Sequence, residues 1–505
     1  MRYSWARIGI VVCLLWAAVW LFLTRYSMLD DSLIHLRYAA NLDHFHFVTF
    51  DGMRHTFGSS SPLYLVLLAA IYAIFPGVLV AKLVSVAIYI GLLFFTTRLL
   101  LRDKNTNFSR GLAFCLMMAF CSPMGVRWLA DGMESGFVCL MVLLTAEAAM
   151  SALSSDENRK AILLFVCGLA LTLLRIELLA LCGICAATIF FAQWHRYPKQ
   201  FKRALLTALP ILCGGIVAML LIHLVFGSFL PDTALAKAYN KPSITGVMVF
   251  FQLMASSFAL GLGVFIVWVV SAVFAFGATG PLGKSTLLVA NSMFPILVAL
   301  SCMRGQAVQG VRYFLWAMLF SIAWNLWTLA RGAEQPRIQN AALIISALLI
   351  VCLLPLDTYY GSRTMLGRAE TFQQMRSSQL DRLNGHVMLA DDIGFISYFS
   401  QANVCDLNGL VNGRSFAALT QQQRIQACVD LKPDALFLTT LRIKIMRAYI
   451  PDLEQEWTPC EKIDFPNVHS NDTHYLLIRT EKVATLCPAP QLHQSMQEIL
   501  ELPIG

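Results

Sequence analysis

Long apolar runs, separated by short polar stretches, fill the first 355 residues of the chain. Those that reach or approach the length of a bilayer crossing lie at 8–24, 77–97, 111–122, 135–153, 161–174, 176–194, 204–226, 257–276, 285–302, 313–330 and 341–355. A helix needs about 20 apolar residues to cross the hydrocarbon core. The run at 61–76 is shorter and has Pro62 and Pro76 near its ends, which is typical of a re-entrant or interfacial helix. The pattern predicts an α-helical polytopic membrane domain over residues 1–356, with about 11 transmembrane helices and one re-entrant or interfacial helix.

The pattern changes after position 356. Charged residues return, and short strand-like runs lie at 386–391, 403–407, 435–440 and 475–480, with helix-like stretches between them. Strands that alternate with helices are typical of an α/β domain. We therefore expect residues 357–505 to form a second domain of the α/β class.

Basic residues predict the orientation of the bundle. Lys and Arg concentrate at 98–110, 196–203 and 331–337, and such clusters favour the cytoplasmic side of a membrane. This places the N-terminus in the cytoplasm, and a first loop at about 25–60 and the domain 357–505 outside it. Four cysteines of that domain could form two disulfides in an oxidising compartment, with the pairing left open: Cys405, Cys428, Cys460 and Cys487.

Composition supports the membrane assignment. The chain is 57% hydrophobic and only 13% charged, with a mean hydropathy of +0.64, which excludes an ordinary soluble enzyme. The net charge of +8 comes without a basic cluster interleaved with aromatic residues, so we do not expect nucleic acid as a partner. The expected surroundings are a lipid bilayer.

The densest polar cluster follows the first apolar run. On a helix, Asp31, His35 and Tyr38 share one face, while Asp30 and Arg37 share another. Ionisable residues beside membrane segments are costly and therefore suggest function. The alternative is a polar helix start with an aspartate cap. An acidic doublet followed by His35 and Arg37 favours function.

Further charged residues lie at the same predicted membrane face. Each alone is equally well explained by a helix cap, an ion pair or a snorkelling side chain, but together they could surround a charged lipid headgroup: Arg127 and Glu134, Arg175 and Glu177, Asp232 and Lys237, Arg304 and Arg312. Asp391 and Asp392, which follow a strand-like run, are interpreted as structural.

Several of these runs resemble a known family. The run Asp30-Asp31-x-x-Ile34-x-x-Arg37-Tyr38-Ala39-x-Asn41, followed by Ser60-Ser61-Pro62-Leu63-Tyr64, resembles the start of GT-C superfamily membrane glycosyltransferases. More narrowly, the chain is similar to the branch that contains the terminal arabinofuranosyltransferases of mycobacterial cell walls. Other runs similar to that branch are Gly132-Met133-Glu134-Ser135, Phe226-Gly227-Ser228-x-x-Pro231-Asp232-Thr233 and Asp392-Ile393-Gly394. Asp232 replaces the asparagine usual in that branch.

The resemblance implies a glycosyltransferase of the bacterial inner (plasma) membrane. Such an enzyme moves a sugar, with arabinofuranose as one candidate, from a polyprenyl-phosphate donor to a hydroxyl group of an extracytoplasmic acceptor, with inversion. The acceptor is a cell-envelope glycan or a secreted, pilin-type protein. Transfer needs a base for the hydroxyl proton and cations for the departing phosphate.

The resemblance also implies roles for single residues. Asp30 is the predicted general base, and Asp31 orients the substrate or holds a cation. Donor and phosphate binding is predicted for Arg37, Glu134, Lys237, Arg312 and His35, and substrate positioning for Tyr38, Arg127 and Asp232. No cofactor is fixed by the resemblance, and a divalent cation (Mg²⁺, Mn²⁺ or Ca²⁺) on Asp30 and Asp31 is left open.

Two other functions compete with this one. A transporter or flippase of the lipid-linked sugar predicts repeated halves and helices broken at mid-membrane, and the sequence shows neither. A membrane-anchored binding module with the second domain as reader leaves the charged clusters unexplained.

Overall fold

The computed structural model describes residues 2–45, 47–52, 55–101, 107–153, 158–236, 245–304, 314–331, 336–378, 380–466, 471–488 and 494–502. Most of the chain up to position 378 is helical. The helices of this part are α1 Arg2–Leu23, α2 Asp30–Phe45, α3 Pro62–Tyr72, α4 Val80–Leu101, α5 Asn107–Cys121, α6 Pro123–Leu129, α7 Ser135–Ala152, α8 Asn158–Leu174, α9 Leu178–Arg196, α10 Phe201–Phe226, α11 Asp232–Ala236, α12 Thr245–Ala255, α13 Phe258–Gly277, α14 Pro281–Ala290, α15 Met293–Arg304, α16 Leu315–Leu329 and α17 Pro336–Ser377.

The helical part has the features of a multi-pass membrane protein. Within the described residues, seven helices are long and apolar enough to cross a bilayer, or eight if α5 and α6, which meet at 73°, count as one broken span. The predicted number of about 11 also counted shorter runs, such as those that form α8 and α16. Helix α3 has 11 residues and is therefore about 16 Å long. That length is half a bilayer core, as expected for a re-entrant or interfacial helix.

Helix α17 connects the bundle to the second domain. It has 42 residues, which corresponds to a length of about 63 Å. The domain boundary predicted at 356/357 lies inside this helix, because the helical backbone continues beyond the end of the apolar run. Its last turns pack on the second domain, where Phe372 contacts Phe395 and the Thr371 hydroxyl donates to the Asp464 carbonyl at 2.6 Å.

The second domain is an α/β domain, as predicted. Its strands are β1 Val387–Ala390, β2 Asn403–Asp406, β3 Ala435–Thr439, β4 Trp457–Pro466 and β5 Asn471–Arg479, in the sheet order β2-β1-β3-β5-β4. Strands β2, β1 and β3 are parallel, and β5 runs antiparallel to β3 and β4. Its helices are α18 Gly394–Ser400, α19 Arg414–Ala417, α20 Gln421–Asp430, α21 Thr440–Met446, α22 Leu453–Glu456, α23 Val483–Leu486 and α24 Met496–Glu501, with 3-10 turns at Leu380–Leu383 and Thr480–Lys482.

Two disulfides crosslink this domain. Cys405 at the end of β2 bonds to Cys428 on α20, and Cys460 on β4 bonds to Cys487 after α23. These two bonds resolve the pairing that the sequence left open. Each connects a strand to a helical segment on the surface of the sheet, so both stabilise the packing of that layer.

The second domain contacts the bundle through helix α2. Helix α18 packs on α2, and the buried Arg37 side chain joins the two parts. Its guanidinium donates to the carbonyls of Phe50 at 2.8 Å and of Ala402 at 3.1 Å, and also to that of Ser397. Because the carboxyl ends of parallel strands lie at one edge of a sheet, this packing brings the edge formed by β1, β2 and β3 against the start of α2.

Candidate active site

A cavity of about 560 Å³ lies between the start of α2 and the carboxyl edge of the parallel strands. Its size is in the usual range for a small-molecule site. Polar side chains from both domains line it, among them Asp30, Asp31, Asp391, Asp392, Asn408 and Arg424. The acidic doublet predicted as catalytic therefore lies in a cavity, and a second acidic doublet from the other domain faces it.

The Asp30 carboxylate is held by the second domain. Its two oxygens accept hydrogen bonds from the Gly394 amide at 2.8 Å and the Phe395 amide at 2.6 Å. Its carboxyl group also makes a side-chain hydrogen bond with Asp392. Burial first, and then the charge of Asp392, raises the pKa of Asp30 well above its usual value, although the Phe395 amide opposes this.

Asp392 is the partner of Asp30 across the domain interface. Burial raises its pKa to about 6. The hydrogen bond from Asp30 and the charge of Arg368 act in the opposite direction, while Asp391 and Asp31 raise the pKa further. At neutral pH the Asp392 carboxyl is therefore mostly ionised, and it can accept a proton from a group inside the cavity.

Asp391 is bound within its own domain. Its carboxylate accepts a hydrogen bond from the Thr439 hydroxyl at 3.0 Å and lies 3.4 Å from His474 Nε2 and 3.8 Å from Arg442 Nε. Its backbone carbonyl accepts from the Asn408 side-chain amide at 2.5 Å. Asp391 therefore orders the cavity wall, as its structural interpretation requires, whereas Asp392 points to the bundle.

A buried ionic network lies one helical turn further along α2. Glu134, at the start of α7, is fully buried and pairs with Arg175 Nη1 at 3.1 Å and with His35 Nε2 at 3.6 Å. Arg175 Nε also donates to Glu177 at 2.6 Å, and His35 Nδ1 lies 2.9 Å from the Ser59 hydroxyl. Since His35 follows Asp31 by four residues on α2, the network lies next to the cavity.

The loop before Glu134 supports the start of α2. The Leu29 amide donates to the Asp131 carbonyl at 3.2 Å, and Lys82 pairs with the Asp131 carboxylate at 2.8 Å. Gly132 has a φ of +86°, a conformation that favours glycine. The Gly132 carbonyl accepts from the Tyr64 hydroxyl at 2.9 Å. These bonds fix the backbone from which Asp30 and Asp31 project.

Two arginines, the buried Arg127 and the half-buried Arg368, supply positive charge near the carboxyl groups. Arg127 on α6 is 3% exposed, stacks over Trp128 at 4.9 Å and interacts electrostatically with Arg368 of α17. Arg368 in turn interacts electrostatically with the carboxyl groups of Asp30, Asp31, Asp131 and Asp392. A pair of guanidinium groups, one of which interacts with the cavity carboxyl groups, forms an environment that suits an anion such as a phosphate.

Three predicted site residues have their side chains bound to the protein backbone or to a neighbouring hydroxyl. Arg37 donates to three carbonyls, as described above. The Tyr38 hydroxyl bonds to the Thr56 hydroxyl at 2.8 Å and accepts from the Gly58 amide at 3.1 Å. Asp232 accepts from the Phe57 amide at 2.9 Å. These contacts favour a role in holding the 47–61 loop, while the predicted phosphate and substrate roles stay predictions.

Lys237 and Arg312, both predicted to bind phosphate, lie outside the described residues. The neighbouring Ala236 lines the cavity. Within the residues that the structure describes, no group of three or more His, Cys, Asp or Glu side chains is arranged to hold a metal ion. Both Asp30 oxygens accept amide hydrogen bonds in this arrangement, and a cation on Asp30 and Asp31 stays a prediction.

Sequence reasoning missed two residues of this site. Asp392 was interpreted as structural because it follows a strand-like run, although the carboxyl ends of parallel strands commonly form binding sites. Arg368 gave no signal, because it is one arginine in a long helix with several charged residues. The Asp392-Ile393-Gly394 run was the available indication, since glycine permits close approach of another backbone.

The fold and the cavity define a class of protein: a multi-pass membrane bundle with an extramembrane α/β domain that closes a polar site. Comparison with solved structures finds ArnT from Cupriavidus metallidurans, whose crystal structure is bound to undecaprenyl phosphate. It is 12% identical, with a TM-score of 0.59, and the match covers 97% of this chain and all of that chain. The chain therefore shares its fold with this structure, and the predicted fold class of a polytopic helical membrane protein is confirmed.

Two structures of the oligosaccharyltransferase of Archaeoglobus fulgidus are also similar. One is AglB in complex with an inhibitory peptide and a dolichol-phosphate, at 11% identity and a TM-score of 0.49, covering 96% of this chain and 77% of that one. The other is the apo form, at 11% identity and a TM-score of 0.47, covering 89% and 71%. A family profile described as "Domain of unknown function (DUF8728)" matches residues 367–481. The comparison with curated proteins finds no match.

Proposed function

We propose that this protein is a membrane glycosyltransferase that moves a sugar from a polyprenyl-phosphate donor to a hydroxyl group of an extracytoplasmic acceptor. The observation that carries the proposal is the cavity itself, where carboxyl groups of both domains meet and interact electrostatically with Arg368. The GT-C fold shared with ArnT, which was solved with undecaprenyl phosphate, supports a lipid-phosphate donor.

The reaction requires a proton acceptor and a cationic environment. The acceptor hydroxyl gives its proton to a cavity carboxylate, with Asp30 as the predicted base, and its oxygen bonds to the anomeric carbon. The bond from that carbon to the phosphate oxygen breaks, and the electron pair leaves on the phosphate. Arg127 and Arg368 stabilise the charge that grows there. One base and a direct displacement give inversion.

The neighbouring groups have supporting roles. The Glu134–Arg175–His35 network presents charged side chains one turn from Asp31 and positions the donor sugar. Asp31 lines the cavity beside Asp30 and orients the acceptor hydroxyl. Asn408 and Arg424, on the opposite wall, offer hydrogen-bond partners to the rest of the acceptor.

The site faces the outside of the cytoplasmic membrane in this proposal. Two disulfides in the second domain support an oxidising compartment, and the basic loops support a cytoplasmic N-terminus. The localisation proposed is the bacterial inner membrane. Arabinofuranose as the sugar, and a cell-envelope glycan or a secreted pilin-type protein as the acceptor, are the finer predictions from the resemblance.

The test uses full-length protein in proteoliposomes with a panel of undecaprenyl-phosphate-linked pentoses and hexoses. Wild type should transfer one of these sugars to an extracted envelope acceptor, and Asp30→Asn should lower the rate by about 10²–10⁴-fold. Glu147→Gln, in a pair with Arg98 outside the site, is the control. Normal transfer by Asp30→Asn at normal expression refutes the assigned base.

A lipid-linked-sugar flippase is the second candidate, favoured by the 73° break between α5 and α6, since broken helices are typical of transporters. The same proteoliposomes distinguish the two functions. Movement of a fluorescent lipid-linked sugar between leaflets, with no glycosidic bond formed on any acceptor, supports the flippase and overturns the transferase.

A further inference from the structure

The contact between Asp30 and Asp392 joins two carboxyl groups that are far apart in the sequence. Asp30 begins α2 of the bundle, and Asp392 lies between β1 and α18 of the second domain. The two side chains are hydrogen-bonded to each other, and both line the cavity. We propose that the proton acceptor of the transfer reaction is this carboxyl pair, so that Asp392 of the second domain completes the active site. This inference rests on the proposed function.

The backbone around the pair holds it in one arrangement. The Gly394 and Phe395 amides each bind one oxygen of Asp30, so the carboxylate cannot rotate without losing a hydrogen bond. Gly394 makes the approach possible, because a Cβ atom at that position would lie 2.6 Å from the Asp30 carboxyl carbon. The buried Arg37, bonded to carbonyls of both domains, fixes the same interface about two turns further along α2.

A hydrogen bond between two carboxyl groups needs a proton on one of them. Two adjacent carboxylates cannot both ionise easily, so such a pair keeps one proton at neutral pH and titrates as a unit. The directions of both pKa values agree, since that of Asp30 is raised well above normal and that of Asp392 is raised to about 6. The charged groups around the pair are Asp31 on α2, Asp391 after β1 and Arg368 on α17.

The singly protonated pair can take a second proton. When the acceptor oxygen bonds to the anomeric carbon, its hydroxyl proton passes to the ionised member, and both carboxyls are then neutral. The sugar–phosphate bond breaks with its electron pair on the phosphate, which leaves as polyprenyl phosphate. The extra proton is released to water from the cavity, and the pair returns to its starting charge. Below pH about 6 the pair already holds both protons, so transfer should slow as the pH falls.

The test compares Asp30→Asn, Asp392→Asn and the double variant in the proteoliposome assay between pH 5 and 8. Each single variant should lower kcat by about 10²-fold or more, and the double variant should be hardly slower, because the two residues act as a unit. In Asp392→Asn the group that titrates near pH 6 is gone and the remaining Asp30 titrates alone, so the acidic limb of the profile should move away from pH 6. A lower rate with an unmoved limb would mean a structural role and overturns the inference.

Asp434→Asn is the matched control. Asp434 precedes β3 at the opposite edge of the same sheet and bonds to His386 at 2.8 Å, so its variant should keep the wild-type rate and profile. If wild type transfers sugar and Asp392→Asn matches it, the pair is not the acceptor although the proposed function stands. If wild type transfers none of the sugars, the proposed function itself fails.

A measurement that does not need a stable variant at Asp392 uses infrared spectroscopy of the wild-type chain. At pH 7 the difference spectrum between wild type and Asp30→Asn should contain the C=O band of a protonated carboxyl group. The band should disappear in wild type above the titration range of Asp30. A difference spectrum that contains only ionised carboxylate bands at pH 7 contradicts a shared proton.

Discussion

Gly394 lies against Asp30 so closely that a Cβ atom on Gly394 would be 2.0 Å from the Asp30 carbonyl oxygen. Both positions belong to the interface between α2 and α18. A methyl group cannot fit there unless one backbone moves, and such a movement would also stretch the amide bonds to the Asp30 carboxylate. The contact therefore links the packing of the two domains to the geometry of the carboxyl pair.

We expect Gly394→Ala to disturb this interface. The overpacking should lower the free energy of unfolding by about 1–3 kcal/mol and reduce transfer in the proteoliposome assay. Gly277→Ala is the control, because no atom lies within 4 Å of a Cβ built at Gly277. Thermal denaturation in detergent measures the first effect. Equal melting temperatures for the two variants would show that the interface accommodates the added methyl group without loss of stability.

Replacement of Glu134 should destabilise the buried ionic network. Glu134→Gln removes the charge that faces Arg175 and His35, and an uncompensated buried charge costs about 3 kcal/mol or more. Glu147→Gln breaks a pair whose Arg98 side chain is 65% exposed, so it should change stability by less than about 0.5 kcal/mol. The melting temperatures of both variants check this difference. A smaller shift for Glu134→Gln than for Glu147→Gln would contradict the buried network.

Asp232 should make stability depend on pH. Burial raises the pKa of Asp232, although the Phe57 amide opposes the shift, so the folded protein disfavours the ionised form. A carboxyl group whose pKa is raised on folding destabilises the fold increasingly as the pH rises above its unfolded value. Asp232→Asn keeps the acceptor for the Phe57 amide but removes the charge.

The Asp232→Asn protein should consequently melt higher than wild type at pH 7–8. The difference should become small near pH 4, where Asp232 is protonated in wild type. Denaturation midpoints measured across this range check the prediction. Asp232→Ala, which loses the acceptor as well, should be less stable than both by about 1–3 kcal/mol. A wild-type protein that gains stability relative to Asp232→Asn as the pH rises would reverse the sign.

The two disulfides should be detectable in protein isolated from membranes. Peptide mapping without reduction should recover Cys405 linked to Cys428 and Cys460 linked to Cys487. Cys460→Ser with Cys487→Ser should lower the free energy of unfolding by about 3 kcal/mol. Alkylation of all four thiols in unreduced native membranes would place the domain in a reducing compartment and contradict the proposed orientation.

Much of the fold could be predicted because bilayer helices have a simple pattern. The apolar runs at 204–226 and 257–276 correspond to α10 and α13 within a few residues. Strand β4 was missed, because Thr458, Glu461 and Lys462 interrupt any apolar alternation in Trp457–Pro466. Pairing with β5 stabilises this edge strand, and pairing is a tertiary effect that local pattern does not contain.

Only the part of the candidate site that lies on α2 of the bundle could be predicted from the sequence. Asp30 and Asp31 were conspicuous as a doublet beside an apolar run, whereas Asp392 had an ordinary explanation as a residue after a strand. What distinguishes Asp392 is its distance to Asp30, and a contact of such long sequence separation cannot be read from either segment alone. The same reason explains why the hydrogen bonds from Arg37 to carbonyls of both domains could not be predicted.

The order in which a ribosome makes this chain has a consequence for the carboxyl pair. Gly394 follows Asp30 by 364 positions, and at about 5–20 residues per second roughly 20–70 s pass between the two. During that interval the nascent polypeptide carries the bundle's acidic residues without their later partners. A stalled or prematurely terminated product would therefore be inserted in the membrane but inactive. Sugar transfer should begin only after the second domain has been synthesised.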